Sequence, residues 1–195
     1  MSLLKSEWRK LVYVRAHWGL LIGAVVLAGF GTAVTPIILD SNSATFGLAL
    51  DQQTAVDSVY ANAISSYIFA IIIGIMLMSG EFRHGTAVAT FLTAPKRGTV
   101  LANKLGIAAI GGALVMVIST AAGIAAGWVT LSFFENVAEP SSGVFVNTML
   151  AAVVSGSILG IVGVAIGTLI RNQMLAITGS LIYLFVVDPI LLTLV

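Results

Sequence analysis

The chain has no cysteine, two histidines and four prolines in 195 residues. Without thiols it can form neither a disulfide nor a thiolate metal site. Charge is scarce: 9% of its residues are Asp, Glu, Lys or Arg, against about 25% in a soluble domain. The patterns HExxH, CxxC, GxSxG and GxxxxGK[ST] are all missing. Zinc-protease, dithiol and nucleophile-elbow chemistry therefore have no visible seat, and the chain cannot cradle a nucleotide in the Walker manner. His17 and His84 lie far apart in sequence, and no Asp, Glu, Lys, Arg or His falls clearly in the middle of an apolar run. That absence weakens an ion-coupled carrier, which places an ionisable group there to bind or relay its ion. No catalytic residue and no metal ligand are assigned, and the chain is not expected to be an enzyme.

What is present is apolar. Hydrophobic residues make up 58% of the chain, and its mean hydropathy is +1.07. Runs of about 18 or more apolar residues read as membrane spans. Five such runs stand out, near 17–39, 59–79, 100–134, 144–170 and 174–195. All five are expected to be helices, because a lipid-exposed segment must satisfy its own backbone and no barrel-type alternation occurs. The predicted fold class is all-α, a polytopic membrane helix bundle forming a single transmembrane domain over 1–195. The third run is about 35 residues long, so it must tilt or project into water. No targeting peptide precedes the first run.

Lys and Arg set the expected topology. With the N-terminus inside, the inner segments 1–16, 80–104 and 171–173 hold Lys5, Arg9, Lys10, Arg15, Arg83, Lys96, Arg97, Lys104 and Arg171, all nine basic residues. The outer segments hold none, and carry Asp40, Asp51, Asp57, Glu135 and Glu139. This distribution follows the positive-inside rule. It predicts a multi-pass protein of the cell (inner) membrane with a cytoplasmic N-terminus and the lipid bilayer as its main solvent. Nucleic acid is not an expected partner. Residues 1–16 read as an interfacial amphipathic helix, with Leu4, Trp8, Leu11 and Val12 on one side, Lys5, Arg9 and Lys10 on another, and Trp8 and Trp18 as headgroup-level anchors. Five crossings leave the C-terminus outside in an apolar run, and a further segment is expected beyond it.

Glycines are placed with a period. Gly156, Gly160, Gly163 and Gly167 fall at i, i+4, i+7 and i+11, on one face of the fourth span. Gly19/Gly23 and Gly123/Gly127 repeat the small-xxx-small spacing. Such ridges let helix backbones approach closely in lipid, and helix packing is the expected role of the four-glycine ridge. Asn62, Ser65, Ser66, Ser119, Thr120, Asn147, Ser155 and Ser157 are polar residues inside spans, better suited to bonding neighbouring helices than to holding substrate.

One polar island interrupts the grease. In GEFRHGTAVATFLTAPKRGTV, residues 80–100, five charged or histidine residues fall within seventeen positions. Gly85-Thr86 supplies a turn and an N-cap, 87–94 can form about two helical turns, and Pro95 ends them. Phe91 and Leu92 give this short helix an apolar side with little reason to face water, so it reads as a docking knob. If the protein performs active transport, its energy must come from another chain, and this is the largest inner loop for such a chain to touch.

The blocks Glu81-Phe82-Arg83-His84-Gly85-Thr86 and Leu92-Thr93-Ala94-Pro95, followed by Arg97 and Lys104, resemble the E-x-R-x-G-T … L-x-T-x-P … R … K signature of permease subunits in type-2 ABC exporters. The resemblance covers the whole chain in layout. It implies a membrane-spanning subunit of an ATP-driven exporter that forms a translocation path with a second permease, either a copy or a paralogue, and couples to separate ATP-binding cassette subunits. ATP and Mg would be cofactors of that partner, with none on this chain. It makes 80–99 the coupling loop, with Glu81, Arg83, Gly85, Thr86, Phe91 and Leu92 as coupling residues. Asp188-Pro189 would be the external break that leads to re-entrant helices. Six spans are usual in the family and five are found here, so the sequence is either truncated or lacks the last helix. Two other readings stay open: a non-transporting immunity or regulatory membrane subunit, and an ion-coupled secondary carrier.

Overall fold

The computed structural model describes residues 8–9, 11–83, 85, 97–170, 172–187 and 190. Among these no strand occurs. The main helices are α1 (Arg15–Ser41), α2 (Gln53–Ala61), α3 (Tyr67–Arg83), α4 (Arg97–Leu131), α5 (Val144–Leu169) and α6 (Gln173–Ile182). A 3-10 stretch, Asn62–Ser66, joins α2 to α3. Among the described residues, four helical segments are long and apolar enough to cross a membrane: Arg15–Ser41, Gln53–Phe82, Gly98–Leu131 and Val144–Leu169. The fifth apolar segment, Gln173–Val186, is shorter. Its described part covers about 21 Å at about 1.5 Å per residue, and the rest of the expected fifth span, 188–189 and 191–195, lies outside the described residues.

Local chemistry sets several boundaries. Asn172 opens α6 by accepting hydrogen bonds from the Met174 and Leu175 amides at 3.0 and 3.4 Å. The second span begins earlier than hydropathy alone suggests, at Gln53 rather than Val59. Its polar first turns are tied down, since the Asp57 carboxylate accepts from the Ser141 amide at 2.9 Å. At 35 residues, α4 is about 52 Å long, so it tilts or extends beyond the apolar layer.

Contacts between helices give the topology. Gly112 of α4 lies against Gly156 of α5, and Ala108 lies against Gly160, so those helices are antiparallel. Ile71 and Ile75 of α3 meet Gly163 and Gly167 in the same order, so α3 and α5 are parallel. Thr32 of α1 meets Gly123 and Gly127 of α4, and Gly23 meets Phe69 of α3. The spans therefore alternate in direction. One end of the bundle gathers the starts of α1, α4 and α6 with the end of α3, and Arg9, Arg15 and Lys104 lie there. The other end carries Asp40, Asp51, Asp57, Glu135 and Glu139. The span 53–82 is central, with 61% of its most apolar window buried against 22% for α1 and 28% for α5. Its run Ala70, Ile71, Ile72, Ile73 and Ile75 is buried throughout, as suits a helix that is apolar all round.

A polar waist crosses this core. Asn62, at the start of the 3-10 stretch, donates from Nδ2 to Gly31 O at 3.1 Å and to Thr35 Oγ1 at 2.7 Å. Both acceptors lie on α1 within one turn and a half of Pro36, which sits inside that helix. A proline in a span is tolerated where neighbours satisfy the disturbed backbone. Behind Asn62, Ser66 Oγ and Ser119 Oγ are 2.6 Å apart, and Ser119 donates onward to Val115 O at 2.8 Å. Ser155 and Ser157 instead bond carbonyls of their own helix. Interhelical side-chain bonds in membranes average about 0.6 kcal/mol and reach about 1.7. Asn62→Ala should fall in that range and lower Tm by a few degrees in detergent. Thr35→Val should cost less once Asn62 is already Ala, and strict additivity in that cycle would refute a shared bond.

Candidate functional site

At the basic end, α3 runs on through Glu81 to Arg83. Its helical period places Glu81 on the face of Leu77 and Met78, which are buried. Lys104, on the second turn of α4, shares a face with the buried Val100, Ile107 and Ala108. Both charges therefore point into the bundle. They meet there: Lys104 Nζ lies 2.7 Å from a Glu81 carboxylate oxygen, with side-chain exposures of 1% and 5%. Neither charge could be held alone at that depth, because desolvation penalises an unpaired ion heavily. The pair joins the two helices that enter and leave the polar island.

Gly85 takes φ +67°, a left-handed conformation that glycine adopts at no steric cost. Its amide donates to Phe82 O at 3.3 Å, which closes α3 in the manner of a helix C-terminal turn. Residues 80–83 thus belong to α3 and 97–99 to α4, and within the 80–99 segment 84 and 86–96 lie outside the described residues. Arg83 ends α3 by its backbone. Thr86, Phe91 and Leu92 lie outside the described residues, as do Asp188 and Pro189.

The four glycines of α5 divide between two neighbours. A Cβ at Gly160 would overlap the Ala108 carbonyl of α4, and one at Gly156 would sit 2.6 Å from Gly112 O. A Cβ at Gly163 would overlap Ile71 O and lie 2.9 Å from Gly74 Cα; at Gly167 it would lie 2.9 Å from Ile75 O. Both partners are helix backbones, and α5 fits into the groove between α3 and α4. On the other small-residue pairs, Gly127 lies against Thr32, whereas Gly19 faces open space. At the acidic end an open groove of mixed polarity runs between α2 and α5, with Asp57, Ser58, Asn147 and Thr148 among apolar side chains in its walls.

Two features escaped the sequence reading. Lys104 was legible as a charge near the start of a span, but its depth and its partner 23 positions away in sequence were not. The burial of His17, whose Nδ1 lies 2.8 Å from Leu11 O, was equally hidden. In both cases the available signal was a polar residue at a core-facing helical position.

Long apolar helices in alternating directions, tied by a charge pair at one end, define a multi-pass membrane protein. Over residues 3–187 the sequence matches the family described as ABC-2 family transporter protein. The chain belongs to that family and is an ABC transporter permease subunit, a membrane transport component. No curated protein and no solved structure was found to match it.

Proposed function

We propose that this chain is the permease of an ATP-driven exporter, with 80–99 as the segment through which a separate ATP-binding subunit moves the spans. The observation that carries this reading is the buried Lys104–Glu81 pair. It ties the two roots of the segment to each other, so a push on the segment moves the ends of α3 and α4 together. The Gly160–Ala108 and Gly163–Gly74 contacts then pass such a motion to α5. The lack of a phosphate-binding loop in the sequence supports a partner that holds ATP and Mg. A second permease, copy or paralogue, would complete the translocation path, and the basic end would face the cytoplasm of the inner membrane.

In this reading Glu81 and Arg83 hold the segment against the bundle, Gly85 and Thr86 form its turn, and Phe91 and Leu92 enter a groove of the ATPase. Truncating a buried aromatic anchor often costs about 2 kcal/mol or more of binding. Phe91→Ala should therefore weaken co-purification with the ATPase about 30-fold or uncouple hydrolysis from transport. Lys96→Ala should do much less. Wild-type association and transport after deletion of 87–92 would end the proposal. Orientation is tested separately in right-side-out cells with a membrane-impermeant thiol reagent. Ser43→Cys should react and Thr86→Cys should not; the reverse result would invert the topology.

A further inference from the structure

A half-open apolar cavity of about 160 Å³ lies at the basic end, between the helical lead-in residues 8–9 and 11–13 and helices α1, α3 and α4. Its walls include Trp8 and Leu11 of the lead-in, Trp18 of α1, Ile73 of α3, and Gly111 and Leu114 of α4. An apolar guest that enters it removes this apolar wall from water. The polar atoms at its edge are largely engaged. The Trp18 indole N–H donates to Val12 O at 2.8 Å. His17 Nδ1 lies 2.8 Å from Leu11 O, a carbonyl that can only accept, so that nitrogen carries the proton. A guest therefore meets apolar surface and few directed bonds, which suits a hydrocarbon chain better than a polar solute.

The surroundings select the headgroup. Trp8 and Trp18 are exposed beside the cavity, at the level where indoles mark a membrane interface. Arg9 directly follows Trp8, Arg15 precedes His17 by two positions, and both are exposed. Residues 1–39 carry four basic side chains and one acidic one, Glu7. Basic residues beside an interfacial segment attract anionic lipid headgroups. We propose that this cavity binds an acyl chain of an anionic phospholipid from the adjoining leaflet, with its phosphate held by Arg9 and Arg15. The site would fasten the lead-in to α1 and α4 through a lipid, so that the anionic lipid content of that leaflet governs how firmly the lead-in is held. This inference uses the membrane placement of the bundle and is independent of the coupling role of 80–99.

The test is tryptophan quenching by brominated lipid. The chain has three tryptophans, and Trp128 lies far along α4 toward the acidic end, so a Trp128→Phe background leaves Trp8 and Trp18 as reporters. The full chain is placed in phosphatidylcholine nanodiscs containing a small, equal mole fraction of acyl-brominated phosphatidylglycerol or acyl-brominated phosphatidylcholine. The anionic lipid should quench about twofold more or better, and the effect should saturate. Gly111→Leu, whose added side chain points at Leu11 and Ile73, should bring that excess down to the phosphatidylcholine level. Leu114→Phe narrows the same cavity from its exposed wall and should do likewise if Gly111→Leu does not fold. Arg9→Gln with Arg15→Gln should remove the headgroup preference and leave quenching by phosphatidylcholine unchanged. Equal quenching by the two lipids, or an excess that persists in the filled variants, would overturn the proposal.

Discussion

Lys104→Met is expected to lower the stability of the bundle by about 3–5 kcal/mol, the range seen when one partner of a buried ion pair is removed. The reason is asymmetric. The substitution keeps most of the side-chain volume but leaves the Glu81 carboxylate in the core without its ammonium counter-charge. At 1% and 5% exposure, water does little to screen that loss. Native proteins are stable by roughly 5–15 kcal/mol, so a cost of this size should show as a large fall in Tm or as failure to purify as a single species. Glu81→Leu alone should also destabilise, because it removes the carboxylate 2.7 Å from the buried Lys104 ammonium. The double variant Glu81→Leu/Lys104→Met should recover most of the loss, because well-packed apolar groups replace buried ion pairs at little cost or with gain. An unchanged Tm in Lys104→Met would show that the pair does not hold the two helices.

The double variant also separates stability from transmission. Apolar surfaces can slide along each other, whereas a directed 2.7 Å contact allows one axial register between α3 and α4. Fixing register is the best-attested use of a buried polar contact. On the coupling reading, the double variant should keep its Tm and transport less per ATP hydrolysed by the partner. Wild-type coupling at preserved Tm would leave the pair a purely structural strut.

Much of the architecture was legible because lipid simplifies the problem. A span must be long, apolar and helical, which is what hydropathy reads. Gly156, Gly160, Gly163 and Gly167 announce a ridge through their spacing alone. Spacing could not say that the ridge would divide its contacts, two glycines toward α4 and two toward α3, because partner choice depends on how whole helices cross. Hydropathy placed the second span late because Asp57 and Ser58 look like loop. Their helix is stabilised by Ser141, 84 positions away from Asp57, which no local window can see. The 3-10 stretch at Asn62–Ser66 was hidden for a similar reason, since Asn62 and Ser66 are satisfied across helices by Gly31, Thr35 and Ser119. For the candidate site, the charges of the island could be read as a cluster on one side of the membrane. That Glu81 and Lys104 turn inward and pair is a matter of depth, which charge counting does not report.

Gly160→Leu is expected to be among the most damaging single changes in the protein. In a well-packed core, overpacking costs about 1–3 kcal/mol, since neighbouring side chains can shift or change rotamer. Here the obstacle is the backbone carbonyl of Ala108, with Ala109 N also near at 3.5 Å, and neither can move without moving α4. The cost should therefore reach or pass the upper end of that range, with α5 displaced from the groove between α3 and α4. Gly160→Ala already places a Cβ against that carbonyl and should destabilise measurably, whereas adding a methyl to an exposed helical glycine normally helps. Gly179 provides the internal comparison. It is an α6 glycine with no atom within 4 Å of an added Cβ, so Gly179→Ala should leave Tm unchanged or raise it slightly. Thermal unfolding and size-exclusion profiles of the three variants in one detergent make the measurement. If Gly160→Leu unfolds and elutes like Gly179→Ala, the ridge faces lipid, and the route from the island through α4 to α5 has no rigid link.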